Sequence, residues 1–216
     1  MPINVSGLYG VYAHAINELP HGEYLQIKAK KRIMNLKSHN VPHDLLIFEY
    51  LEKSHYKTGS LFTHLLRGTA MICGMADQYI SHVQSLGIQL GLSFQIADDL
   101  IDVTKSTAEM KKDGLNDLKE QNTTCPYLMF ALQKHRQAEV ADHDRMFVIL
   151  QKRDKSAADL AEVVAMLRDS DAEQRTRELV HYFFAGALQA FAQLPVDDRD
   201  RHSAVLAACS LPFLEA

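Results

Sequence analysis

The chain has 216 residues, 47% of them apolar and 23% charged, with a formal net charge of −4. That length and balance suit one soluble domain with a sizeable core, and the negative charge speaks against a nucleic-acid binder. Three cysteines, widely separated and odd in number, exclude a disulfide framework and read as buried thiols of a reducing compartment, cytoplasmic or mitochondrial matrix. The uncharged stretch from Gln84 to the first acid is too short to span a bilayer. Met1 to Val5 carries neither a basic leader nor a transit pattern. Eleven histidines are scattered without ligand spacing and read as surface or cap residues.

Apolar residues recur at helical spacing almost throughout, and β-branched alternation is nearly absent, so the expected fold is all-α. The first predicted helix runs Leu8 to Leu19 and stops at Pro20-His21-Gly22. A second starts at Glu23 and reaches Leu36, with Lys28, Lys30, Lys31 and Arg32 as a solvated basic face. Ser38 to Pro42 reads as a loop. His43 to Glu52 restarts a helix that continues through Lys57-Thr58-Gly59 into a long stretch where Gly59, Gly68, Ala70 and Gly74 permit close contact. Asp77 marks a turn before the helix from Tyr79 to Ile101. Thr104 to Thr124 is polar, rich in lysine and without clear period, so it reads as a mobile loop. Pro126 suits the first turn of a helix reaching His135. Helices over 137–153 and 156–168 follow. A long one spans 172–194, with Tyr182, Phe183, Phe184, Leu188 and Phe191 expected in the core. Asp197 caps the last, which ends near Leu211.

One stretch stands out: Phe94-Gln95-Ile96-Ala97-Asp98-Asp99-Leu100-Ile101-Asp102. Asp98 and Asp102 are four apart and stack one turn above the other on a helix, with Asp99 to the side. No Lys or Arg lies between Gln84 and Thr104. Three carboxylates in an apolar run repel one another and resist burial. The arrangement suits a hard divalent cation, Mg²⁺ with a phosphate-bearing substrate being the usual match. It also suits a plainly solvated helix face, with Leu90, Phe94, Ile96 and Ile101 turned inward.

The same nine residues resemble the second aspartate-rich motif, FQxxDDxxD, of the trans-isoprenyl diphosphate synthases. Further matches keep that family's order. Gly22-Glu23-Tyr24-Leu25-Gln26 is similar to its GExxQ stretch, and Lys57-Thr58-Gly59-Ser60-Leu61 to its KTxxL helix. Lys112, Asp117-Leu118 and Thr124-Cys125-Pro126 resemble its loop GKxxxxDLxxGKxTxP. The resemblance implies an isoprenoid-synthase-type helical bundle, one domain over 1–216, without the family's N-terminal helices. It implies Asp98, Asp99 and Asp102 as Mg²⁺ ligands. It implies Lys57, Thr58, Gln95 and Lys112 as contacts to an allylic diphosphate that condenses with isopentenyl diphosphate, Lys57 and the first two acids being counted as catalytic. A homodimer, or a heteromer with a complete synthase subunit, is implied as well. Two departures stand beside this. These residues contain no first aspartate-rich motif, and Gln121-Asn122 stands where the family has Gly-Lys. The alternative is a non-catalytic or regulatory subunit that stabilises a complete partner.

Overall fold

The computed structural model describes residues 5–35, 43–104, 115–137 and 140–209, and among them there is helix and no strand. Among the described residues ten α-helices follow one another: α1 Val5–Asn35, α2 His43–Ser54, α3 Ser60–Ile72, α4 Ile80–Thr104, α5 Asn116–Lys119, α6 Cys125–Arg136, α7 Val140–Gln151, α8 Ala157–Arg168, α9 Ala172–Ala192 and α10 Asp198–Cys209. A π-helical turn, His55–Gly59, joins α2 to α3, and a 3₁₀ turn, Asp77–Tyr79, leads into α4. The all-α expectation holds. None of the described helices is long and apolar enough to cross a membrane.

The break expected at Pro20 is absent. Proline costs a helix interior about 3 kcal/mol, because it removes one N–H and crowds the preceding turn. Here it lies inside a 31-residue helix, and burial on either side outweighs that local cost. Val11 and Ala15 are buried before it, and Gly22 and Leu25 after it. Gly22 in particular has no room for a side chain, since a Cβ there would lie 2.4 Å from the Lys57 backbone nitrogen. Pro20 itself is exposed, so the carbonyl it leaves without a partner can meet water.

Contacts divide the chain into two compact units. The first comprises residues 1–24, 53–95 and 180–215. Its core joins Ala70, Val83 and Leu194, with Leu66, Leu86 and Phe191 packed around them. Close backbone approach is built in: a Cβ on Gly91 of α4 would stand 2.5 Å from Gly59 Cα. Ser93, with no exposure, ties α4 to α9 by donating to the Val180 carbonyl at 3.0 Å. The aromatic stripe of α9 is only partly internal. Phe183 and Phe184 are buried, but Tyr182 is 69% exposed, because residues 182 and 183 stand about 100° apart on the helix. Gly74 does not extend α3. It follows the helix end with φ +69°, the left-handed residue that commonly closes a helix. Cys73 beside it is exposed, against the expectation of a buried thiol; Cys125 is buried.

The second unit comprises residues 25–52 and 96–179, with Ala216. Helices α6, α7 and α8 pack together, burying Tyr127, Phe130, Met146, Ile149, Val163 and Leu167. Pro126 sits in the first turn of α6, where its missing N–H costs nothing. A capping box starts α8: Ser156 Oγ accepts from the Asp159 N–H, while Asp159 accepts from the Ser156 N–H. Lys152 pairs with the same carboxylate at 2.5 Å. Those contacts hold the Asp159 carboxyl well below the usual carboxylate range, the Lys152 hydrogen bond contributing most. The stretch expected as one loop, 104–124, includes α5, while residues 105–114 lie outside the described residues.

Candidate active site

Four α4 positions, Gln95, Asp98, Asp99 and Asp102, follow the spacing i, i+3, i+4, i+7. Counted from Asp98, Asp102 stands about 40° and Asp99 about 100° around the helix, so the three acids meet different surroundings. Asp98 is exposed and Asp102 half-buried. Asp99 is 2% exposed. Its Oδ2 accepts from the Tyr50 hydroxyl at 2.6 Å and from the Cys125 backbone N–H at 3.0 Å. Asp99 therefore joins α4 to α2 and to the start of α6, apart from the face that carries Asp98 and Asp102.

Asp98 and Asp102 line a cavity of about 320 Å³ with Ile101, Asn116, Asp117 and Glu120. Four carboxylates around one space is a larger acidic set than the motif alone supplies. Asp117 entered the sequence comparison only as part of a loop match, and Glu120 went unremarked. Both sit within an apparently aperiodic stretch, and α5 brings them to the cavity. Asp102 accepts from the Asn116 and Asp117 backbone N–H groups at 3.2 and 3.3 Å. Burial raises its carboxyl above the ordinary aspartate value, and the charges of Asp117 and Asp98 push the same way, against those two hydrogen bonds. Tyr127 lies in the same field: burial, then Asp102, Asp117 and Asp99, hold its phenol well above 10. It stays protonated, and its buried hydroxyl has no hydrogen-bond partner among the described residues.

Asn122 explains part of the loop departure. Its Nδ2 donates to Asp117 Oδ1 at 3.0 Å and to Glu120 Oε2 at 3.2 Å, while its Oδ1 accepts from Gln26 Nε2 at 3.2 Å. A neutral amide thus fixes two cavity carboxylates where the resemblance expects a lysine. Gln121 has φ +62°, a left-handed backbone that strains a side-chain-bearing residue by roughly 1–2 kcal/mol. Glycine is the resemblance's residue at this position. Lys30 Nζ donates to the Glu120 carbonyl, which adds a cation to this loop that the sequence reading had assigned to a solvated face.

The first unit holds the remaining candidates that can be described. Lys57 lies in the π-helical turn and pairs with Glu23 at 3.4 Å, with about a third of its side chain exposed. Thr58 donates to Gln95 Oε1 at 2.5 Å. Isolated π turns occur frequently at functional sites. Lys112 lies outside the described residues.

The donor chemistry suits Mg²⁺. Carboxylate oxygens are hard ligands, and Mg²⁺ is usually held through one or two of them plus substrate phosphates rather than in a closed protein cage. Among the described residues no three Asp, Glu, His or Cys side chains are set as a complete ligand cluster. The pair Asp98 and Asp102 meets the lesser requirement.

The helical fold is one that solved polyprenyl diphosphate synthases share. The chain is similar to the crystal structure of a decaprenyl diphosphate synthase from Rhodobacter capsulatus, with TM-score 0.76 and 25% identity over 97% of this chain and 59% of that one. A polyprenyl synthase from Caulobacter crescentus, complexed with calcium and isoprenyl diphosphate, gives TM-score 0.72 and 26% identity over 91% and 56%. A prenyl transferase of Cyanophora paradoxa is 33% identical over 70% of this chain and 44% of its own length. Residues 4–167 match the family described as polyprenyl synthetase. The chain belongs to the polyprenyl synthetase family. It spans about half the length of the curated relatives it matches.

Proposed function

We propose that this chain serves a Mg²⁺-dependent prenyltransferase that condenses an allylic diphosphate with isopentenyl diphosphate to build a polyprenyl diphosphate. The acidic cavity carries this reading. Asp98 and Asp102 share it with Asp117 and Glu120, and family membership supplies the reaction class. Bound there, Mg²⁺ would act as Lewis acid and template for the diphosphate. Asp98 and Asp102 would hold the metal directly. Asp99, proposed as a ligand from its place in the motif, accepts from Tyr50 and Cys125 and would fix the helix that presents the other two. Lys57, Thr58, Gln95 and Lys112 would contact the diphosphate. As the allylic C–O bond breaks, negative charge grows on the departing oxygens, and a lysine ammonium stabilises it. The calcium and isoprenyl diphosphate held by the Caulobacter relative support this choice of ligand class.

The resemblance places two aspartate-rich motifs in a complete synthase, and these residues carry one. We therefore propose that the second wall of the site comes from sequence or a subunit outside them. A reducing compartment suits that assembly. An exposed apolar stripe on α1 supports a partner: Val5, Tyr9, Tyr12 and Ile16, at 57%, 73%, 57% and 69% exposure, recur at i, i+4, i+7 and i+11. The same stripe favours the second reading, a subunit whose role is to stabilise a complete synthase.

The test is Mg²⁺-dependent binding of inorganic pyrophosphate, measured by calorimetry on the chain alone. Binding is expected, with loss in Asp98→Ala and Asp102→Ala; unchanged binding in both variants would defeat the site. Mixing the chain with a complete synthase separates the two readings. Extra turnover that disappears with Asp98→Ala supports a catalytic contribution, and extra turnover that survives it supports the stabilising subunit.

A further inference from the structure

The first unit contains a second cavity, of about 330 Å³, lined by His14, Glu18, His55, Thr63, His64, Arg67, Gln84 and Ile88. Helical spacing assembles it. His14 and Glu18 are i, i+4 on α1, His64 and Arg67 are i, i+3 on α3, and Gln84 and Ile88 are i, i+4 on α4. Three of its polar atoms, His64 Nδ1, Arg67 Nε and His55 Nδ1, are buried without a hydrogen-bond partner. Each such atom is costly when left unmatched. A polar cavity of this size with several orphaned groups calls for a polar occupant.

The orphans specify that occupant. His64 is 9% exposed, and its Nε2 stands 2.8 Å from Glu18 Oε2. A carboxylate only accepts, so Nε2 carries the proton and Nδ1 is the ring atom left to the cavity. The ring is also stacked on His14, with centroids 6.2 Å apart and planes within 11°, which fixes where Nδ1 points. Arg67 Nε can only donate, and Arg67 forms no ion pair among the described residues. The cavity thus asks one compact group to hydrogen-bond to His64 Nδ1, as donor or acceptor, and to accept from a guanidinium. A carboxylate at neutral pH can only accept. Water meets the first but leaves the guanidinium charge unanswered. His55 adds little charge of its own. Burial lowers its imidazole below the ordinary value against the opposing pull of Glu18, and its Nδ1 lies against Gly59.

We propose that this cavity binds a phosphate group, which can donate to or accept from His64 Nδ1 and whose anionic oxygens accept from Arg67. Free phosphate and a small phosphomonoester share that chemistry. Gln84 and Thr63 complete the wall, and Glu18 acts through His64 by holding its tautomer.

The experiment titrates the chain with inorganic phosphate and, separately, with methyl phosphate, in the presence of chelator so that no metal bridges the anion elsewhere. Calorimetry and the ¹⁵N shifts of the histidine rings are read together. Saturable heat with movement of the His64 nitrogens is expected, tighter for whichever source the cavity takes. Arg67→Gln should weaken binding roughly tenfold, the loss of one charge-assisted hydrogen bond. Glu18→Gln should weaken it less and alter the His64 tautomer ratio. Histidine spectra of each variant without phosphate show that the fold is kept. No histidine shift in the wild-type chain at tens of millimolar phosphate overturns the proposal. So does equal affinity in a folded Arg67→Gln variant.

Discussion

Two cavities of almost the same size, about 320 and 330 Å³, differ in how their polar groups are satisfied. Around the acidic cavity the carboxylates have protein partners: backbone N–H groups on Asp102 and the Asn122 amide on Asp117 and Glu120. What gathers there is negative charge. Around the histidine cavity what is unmet is hydrogen bonding, at His64 Nδ1, Arg67 Nε and His55 Nδ1. The first arrangement asks for a cation and the second for a group that both donates and accepts. Room does not separate them; the kind of deficit does.

The sharpest way to break this contrast is at Asp99. Removing one partner of a buried, hydrogen-bonded charge costs about 3–5 kcal/mol, so Asp99→Ala should lower stability by that order in denaturant titration. Asp98→Ala should leave stability near wild type while abolishing pyrophosphate binding. Equal destabilisation by the two variants would contradict the division between a structural and a cavity-facing acid. Tyr50→Phe removes one charge-assisted bond to Asp99 and should cost about 1.5–3 kcal/mol. Gly91→Ala sets a Cβ 2.5 Å from Gly59 Cα. The overpacking should cost about 1–3 kcal/mol, read as a lower thermal midpoint.

Smaller effects concern pH and the surface. The His55 imidazole is lowered in the folded chain, burial being the main cause. The unfolded chain therefore takes up its proton first, and stability declines as pH falls through about 6.5, the ordinary histidine value. His55→Gln should flatten that part of the stability–pH curve. The Arg145–Glu162 pair, at 2.6 Å, is surface-exposed. Glu162→Gln should leave the thermal midpoint unmoved, since exposed pairs contribute little.

The acidic site was legible because helix packs its chemistry into nine consecutive residues, where order and spacing survive in the sequence. Asp117 was visible only as part of a loop match. Glu120 was not visible, since α5 is a single turn and leaves no period to read. Pro20 misled because proline usually ends a helix, and only tertiary packing around Gly22 and Leu25 overrides it. Tyr182 was assigned to the core with its neighbours because a run of aromatics carries no phase by itself. The histidine cavity left no linear signal at all. Its lining is spread over three helices and the π turn, and the histidines looked scattered because only folding gathers them.

The π-helical turn has a consequence for how this chain can vary. A turn with i→i+5 bonding holds one residue more than the α-helix around it. Deleting a single residue within 55–59 would let α2 run straight into α3, and every side chain before the deletion would swing by about 100° relative to those after it. Lys57 and Thr58 owe their direction to that surplus residue. Length at this one point thus sets where two candidate side chains stand, and a shortened chain would lose that setting with both residue types still present.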